Sequence, residues 1–347
     1  MTTLVRLPNW LGDLVMSSAF VRACAERYGS PVDVIVRRDL AALAPLLGPV
    51  GEVFPFERAD ARSLLRWVRL HRAAARGGRY NRFFSLPDSF SSALGAWATR
   101  SRHRIGYAHE GRSFLLTHAY SKPPGVHRVR EYRNLLDAYA GADDLPRPRV
   151  WLEGEALERA RSPLAGAAVA RPLILFNPNS AAQSRRLPPG KAAALADRLL
   201  EEFAGTLVIP GSGAERGFSE EVRRRIRRPG RCVNLAGKTD GLSLAALCRS
   251  ADLVVSTDSG IAHLAAALGR PVAVLFGAGD PAGTAPFTEG PMEVVRAPGV
   301  DCSPCVVNRC AHAEPPCLTG IGTERVLAAC RALLGRQLLG PDYSGGF

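Results

Sequence analysis

Two successive runs of short apolar segments, each alternating with amphipathic helical patterns, limit this chain more than any other feature. In the first run, residues 3–7, 32–36, 52–54 and 82–86 are strand-like, with helical patterns at 14–27 and 63–75. In the second, strand candidates at 172–176, 206–210, 232–235, 252–256 and 272–276 alternate with helices at about 190–203, 219–227, 242–249 and 263–268. Parallel strands need a helix-length crossover, so this alternation implies parallel sheets covered on both faces. A polar stretch, 142–171, with Pro146, Pro148 and Pro163, separates the runs. At 347 residues the chain is also longer than one core usually supports. The expectation is an α/β protein of two Rossmann-like, doubly wound domains, 1–160 and 161–335, facing each other across a cleft, with a tail over 336–347. Such sheets bind ligands beyond the carboxyl ends of their strands. The loops that follow the strands are therefore where chemistry is to be sought.

No apolar stretch approaches the roughly 20 residues of a membrane span, and the first residues run straight into a strand without the pattern of a signal peptide. A cytoplasmic location is expected. The formal charge of +13 is unevenly placed. Residues 1–150 hold 23 Lys+Arg against 13 Asp+Glu, whereas 151–347 hold 22 against 19. Residues 58–133 alone carry 16 basic and 4 acidic side chains. A field that localised favours an acidic partner, whether nucleic acid, an anionic membrane surface or a phosphorylated acceptor. Stacking aromatics interleaved with the arginines, and any known nucleic-acid module, are lacking, so nucleic acid is the least favoured of the three.

Four loops carry candidate chemistry. Leu7-Pro8-Asn9-Trp10-Leu11-Gly12-Asp13 links the first strand to the first helix, with Gly12 permitting a tight turn and Asp13 at the N-cap or first turn. Thr257-Asp258-Ser259-Gly260 with His263 joins a buried strand to a helix. There, backbone N–H groups are offered to phosphate, and Asp258 suits a ribose hydroxyl. Asn177-Pro178-Asn179-Ser180 leads to Arg185-Arg186, whose guanidinium groups suit a pyrophosphate. Pro210-Gly211-Ser212-Gly213-Ala214-Glu215 follows another strand, with Glu215 a candidate nucleoside contact. There is no Asp-x-Asp, no Gly-x-x-x-x-Gly-Lys-Ser/Thr and no Gly-x-Gly-x-x-Gly after the first strand. These absences argue against a metal-diphosphate glycosyltransferase motif, a P-loop and a dinucleotide oxidoreductase.

Taken together, these segments resemble glycosyltransferase family 9, the heptosyltransferases of lipopolysaccharide inner-core assembly, most clearly the type that adds the second heptose. The likeness rests on Pro8-Asn9-Trp10-Leu11-Gly12-Asp13 with Met16-Ser17, on Leu86-Pro87-Asp88-Ser89-Phe90-Ser91-Ser92-Ala93-Leu94, and on Arg104-Ile105-Gly106-Tyr107 with Arg112. In the second half it rests on Thr257-Asp258-Ser259-Gly260 with His263, on the four cysteines of 302–317, and on Glu324-Arg325-Val326. The resemblance implies a GT-B fold and an inverting transfer from ADP-heptose to a phosphorylated Kdo-lipid A type acceptor. It makes Asp13 the general base, kept ionised by its helix N-terminus. Arg185, Glu215, Thr257, Asp258, Ser259, Gly260 and His263 would bind the ADP-sugar. Gly12, Ser89, Ser92, Arg104 and Arg112 would meet the acceptor. Relatives often have Lys-x-Trp-Pro where this chain has Arg185-Arg186-Leu187-Pro188, so the charge is kept and the Trp is not. An acceptor of this kind would bring the enzyme to the cytoplasmic face of the inner membrane as a peripheral protein, the basic stretch meeting anionic lipid.

Cys302, Cys305, Cys310 and Cys317, with His312 among them, are spaced closely enough to ligate one zinc. Reduced thiols or cysteine pairs in a surface lobe are the preferred reading; no metal and no cofactor is expected. Competing functions are a family 9 transferase with another nucleotide sugar or acceptor, a sugar-nucleotide epimerase on the same two-domain plan, and a basic nucleic-acid-binding protein.

Overall fold

The structure, a computed structural model, describes residues 2–76, 80–141, 146–153, 164 and 169–339. The chain divides into two compact units, Met1–Trp151 and Leu152–Phe347. The expected boundary at 160/161 and the part of the expected tail from 340 onward lie outside the described residues.

In the first unit, β1 (Thr2–Arg6), β2 (Val32–Arg37), β3 (Val50–Phe56), β4 (Tyr80–Ser85), β5 (His103–Tyr107) and β6 (His118–Tyr120) form one parallel sheet in the order β3-β2-β1-β4-β5-β6. Its helices include α1 (Leu11–Met16), α2 (Ser18–Tyr28), α3 (Leu64–Ala75), α4 (Phe90–Ala98) and α5 (Arg128–Ala140). The single helix expected over 14–27 is in fact two, broken at Ser17, whose hydroxyl donates to the Leu14 carbonyl. Helix α2 ends where Gly29 adopts φ 62°, a left-handed conformation that favours glycine. Leu4, Ile35, Trp67 and Phe83 are among the side chains that fill one face of this sheet.

The second unit repeats the plan with β7 (Leu173–Asn177), β8 (Thr206–Ile209), β9 (Cys232–Asn234), β10 (Leu253–Thr257), β11 (Val272–Phe276) and β12 (Met292–Arg296), again all parallel, in the order β12-β11-β10-β7-β8-β9. Strands β7, β8, β10 and β11 are buried at every residue, which is why they read as continuous apolar runs. The helices α6 (Pro189–Phe203), α7 (Arg216–Arg225), α8 (Gly241–Ser250), α9 (Gly260–Ala267) and α10 (Thr323–Leu339) accompany them. Helix α10 runs through 336–339, residues expected to belong to the tail.

Both sheets share one topology. The first strand of each unit lies beside its fourth, and the chain leaves those two neighbours in opposite directions. This switch point, β1/β4 in one unit and β7/β10 in the other, opens a crevice beyond the strand ends. The two sheets and their helices make the two-domain, GT-B-like architecture expected from the sequence.

Candidate active site

In the second unit, the switch point is built from the loops after β7 and β10. Asn177 Nδ2 donates to Ser256 Oγ (3.1 Å) and Ser259 Oγ (2.8 Å), tying the ends of the neighbouring strands together. Thr257 Oγ1 donates to the Asn179 carbonyl (2.6 Å), and Asn179 Nδ2 reaches Pro210 O (3.2 Å) in the adjoining loop and Ser219 Oγ (3.0 Å) on α7. Helix α9 opens at Gly260 after Ser259, whose side chain makes no capping bond. The first N–H groups of that helix are therefore not capped by it, which suits an anion. His263 sits in the first turn and is buried.

Asp258 is 5% exposed and faces Arg185, whose Nη1 lies 3.2 Å from its Oδ2. The adjacent arginines part company here: Arg186 donates to the Ser180 carbonyl (3.0 Å) and lies over the Phe218 ring, 5.1 Å from its centroid. Of the two arginines, only Arg185 faces Asp258. Leu187, standing where relatives often have Trp, is buried in the core of this unit. Glu215 accepts from Ser212 N (2.7 Å) and Ser212 Oγ (2.8 Å), closing a local capping box.

The turn holding Arg185, Gln183–Arg185, is held from the cysteine segment. Ser184 N donates to Asn308 O (3.2 Å), and Cys310 N donates to Gln183 Oε1 (3.0 Å). All eight cysteines are free. Burial and then the neighbouring Cys302 raise the pKa of the Cys317 thiol, with Cys310 and Cys305 adding to the effect. Among the described residues no group of three or more His, Cys, Asp or Glu is arranged to hold a metal ion. Gly279, which the sequence reading passed over, lies against this site: a Cβ there would come within 2.1 Å of Asp258 Oδ2.

In the first unit, the loop after β1 is shaped by Arg6. Its guanidinium is buried over the Phe56 ring (4.3 Å to the centroid) and donates to Asn9 Oδ1 (2.5 Å) and to the Leu7 carbonyl. Burial, and then Arg37, lower its pKa to about 9. Helix α1 starts at Leu11, three residues earlier than expected, so Gly12 and Asp13 both lie in its first turn and the exposed Trp10 is the N-cap. Asp13 is 28% exposed; its Oδ1 accepts from Tyr132 Oη (3.2 Å) and lies 3.6 Å from Arg128 Nε. Both partners come from α5. Burial, and then the Asp13 carboxylate, push the Tyr132 phenol well above its ordinary range, so it stays a donor.

Arg128 also pairs with Glu131 (2.8 Å), and Lys122 Nζ bridges Glu131 (2.9 Å) and Asp88 (2.8 Å). Burial raises the Asp88 pKa, but the Lys122 hydrogen bond and charge outweigh it and leave the carboxyl below its usual value. A chain of alternating charges thus runs from Asp13 to the loop after β4.

That loop contains Ser89, the N-cap of α4, which accepts from Ser92 N (3.3 Å). Ser92 is buried and donates to Pro87 O (2.9 Å). Arg112 is fully buried, and its Nη1 reaches Pro87 O (2.7 Å), Ser89 O (3.0 Å) and Ser92 Oγ (2.7 Å). It is a strut that sets the shape of the loop. Arg104 stands near the opposite end of the sheet, at the start of β5, donating to Leu115 O (2.9 Å) and Ser101 O (3.0 Å). The fold therefore gathers Gly12, Asp13, Ser89, Ser92 and Arg112 beyond the β1/β4 strand ends and leaves Arg104 apart. Tyr132, Arg128, Lys122 and Glu131 join the group without any local motif to announce them.

Residues 67–314 match the family model for glycosyltransferase family 9 (heptosyltransferase). The chain is 30% identical over 300 residues to lipopolysaccharide heptosyltransferase 2 of Salmonella typhimurium, covering 83% of this chain and 86% of that one. It is 29% identical to its Escherichia coli counterpart over the same shares. The solved structure of Escherichia coli ADP-heptose LPS heptosyltransferase II superposes with a TM-score of 0.83 at 26% identity, over 97% of this chain and all of that one.

Proposed function

The chain belongs to glycosyltransferase family 9, and from that premise we propose that it is an inverting heptosyltransferase of the second-heptose type, using ADP-heptose to extend the lipopolysaccharide inner core. The observation that carries this reading is the pair of half-buried Arg185 and buried Asp258, set among Thr257, Ser259 and the opening of α9 at the second switch point. Cation, hydroxyls and helix N–H groups together suit a nucleoside diphosphate that must leave with its negative charge stabilised. In this reading Asp258 accepts from a ribose hydroxyl, and His263 donates to a phosphate oxygen.

The acceptor is assigned to the first unit. Asp13 takes the proton from the acceptor hydroxyl as that oxygen forms its bond to the anomeric carbon. The bond from that carbon to the β-phosphate oxygen breaks, ADP leaves with the electron pair, and the single displacement inverts the anomeric centre. Tyr132 and Arg128 hold the carboxylate in position. Ser89 and Ser92 border the acceptor, with Arg112 keeping their loop in shape.

The acceptor proposed is a phosphorylated, lipid-linked Kdo-lipid A type core, reached from the cytoplasmic face of the membrane. Purified protein incubated with ADP-heptose and a panel of Kdo-lipid A and monoheptosylated acceptors should release ADP and add one heptose to the monoheptosylated one. Failure to release ADP with any acceptor of the panel would end this reading.

A further inference from the structure

We propose that the second unit carries another anion site, away from the Arg185–Asp258 pair, that takes a phosphomonoester. A cavity of 310 Å³ lies at the sheet edge, walled by Arg296 at the end of β12, by Gly299, Val300 and Ser303 of the following turn, and by Arg325 in the first turn of α10. Its size is at the lower end of small-molecule pockets, enough for a phosphate with part of the molecule that bears it.

The electrostatics of the wall select the ligand. Two arginines line one space, and no acidic residue is among the lining residues. Of the acidic residues on the walling elements, Glu293 pairs with Arg336 (3.2 Å) and Glu324 with Arg198 (2.6 Å), while Asp301 of the turn is exposed and does not line the cavity. Neither Arg296 nor Arg325 forms an ion pair among the described residues. Arg296 is oriented instead by a neutral partner, donating from Nη2 to Ser303 Oγ (3.2 Å), while Ser303 donates to the Gly277 carbonyl (2.7 Å). Two such cations facing one cavity favour a dianion. A phosphomonoester supplies two charges and three terminal oxygens for planar, multi-donor guanidinium groups, whereas a single carboxylate would balance only one of them. The site shares no residue with the donor-side group, although Ser303 ties it to the turn after β11, in which Gly279 packs on Asp258.

Two sources could supply this chemistry: a phosphate on the lipid-linked acceptor, or a free phosphorylated small molecule. The site itself is tested without turnover, so its failure is distinguishable from failure of the transferase reading. Inorganic phosphate and glycerol phosphate are titrated by calorimetry into the wild-type protein and into R185A, R325A and R296Q/R325Q. Arg325 is exposed, so R325A keeps the test valid if the double variant misfolds. Saturable binding should persist in R185A, weaken at least about tenfold in R325A and vanish in the double variant, as loss of charge-assisted hydrogen bonds requires. Binding abolished by R185A but untouched by R325A, or absent from the wild type with both probes, overturns the proposal. Transfer assays then separate the sources. If R325A raises KM for a phosphorylated acceptor and not for its dephosphorylated form, the phosphate belongs to the acceptor. If neither KM moves while glycerol phosphate binding is lost, a free metabolite is the ligand.

Discussion

Asp13 owes its setting to residues more than a hundred positions away. Its partner Tyr132 is a buried phenol held in the protonated state, so it can only donate to the carboxylate at working pH. Asp13→Asn should abolish transfer while leaving ADP affinity within about twofold by calorimetry, since the uncharged amide cannot act as a base. Loss of ADP binding in the same variant would instead mark Asp13 as structural. Tyr132→Phe keeps the ring and removes one hydrogen bond to a charged group, a change that should lower kcat by about 10- to 100-fold. An unchanged kcat would remove Tyr132 from the mechanism. The cysteines differ sharply in accessibility. Cys24, Cys232, Cys248 and Cys330 are buried, and desolvation pushes each thiol up to about 12, whereas Cys302 and Cys305 are exposed. A maleimide at neutral pH should label Cys302 and Cys305 of the native protein first, and Cys24, Cys232, Cys248 and Cys330 only after unfolding, as peptide mapping would read directly.

At the level of elements, the turn after β11 makes the sharpest demand on sequence. Gly279→Ala would place a methyl 2.1 Å from Asp258 Oδ2, so either the carboxylate or the turn must shift. ADP affinity should fall at least about tenfold, the scale of a lost charge-assisted contact. Gly213→Ala meets nothing within 4 Å and should leave it unchanged. Equal losses in both variants would argue against the packing explanation. Gly279 shows where sequence reading stops, because its neighbour is 21 positions distant and nothing local marks it. Apolar runs made the buried strands legible. Strands β5, β6 and β12 escaped because His103–Tyr107 begins with two polar residues, His118–Tyr120 is only three residues long, and Met292–Arg296 is an edge strand with mostly partly exposed side chains. The Ser-x-x-Glu of Ser212 and Glu215 is itself a capping signature, and attention to it would have identified the local bond that Glu215 makes. Arg112 stood in a recognisable motif, but its burial beneath the loop after β4 depends on tertiary packing that spacing does not encode.

Across the whole molecule, the positive charge divides into two populations with different consequences. Part of the excess in 58–133 is internal: Arg82, Arg112 and Arg133 are buried, while Lys122 and Arg128 are paired with carboxylates. The part that faces solvent is concentrated at Arg58, Arg62, Arg66, Arg69 and Arg72, on and just before α3. Leu64 and Leu65 on the same helix are 64% and 69% exposed, an unusual place for leucines beside so many cations. No helix among the described residues is long and apolar enough to cross a membrane, so attachment through this surface would be interfacial. Arginines attracted to anionic headgroups and leucines entering the acyl boundary would together account for a pattern that neither charge nor hydrophobicity explains alone. Vesicles with about one-third anionic lipid should therefore carry the protein upward in a flotation gradient at low salt, and neutral vesicles should not. Binding should weaken steeply by about 0.5 M salt, where the screening length falls to a few ångströms. Leu64→Glu with Leu65→Glu should weaken it at every salt concentration, and Arg62→Glu with Arg66→Glu should remove most of its salt dependence. ADP affinity should be unaffected in either variant. Equal flotation with neutral and anionic vesicles, or none with either, would detach the basic helix from any membrane role and leave its arginines to the acceptor alone.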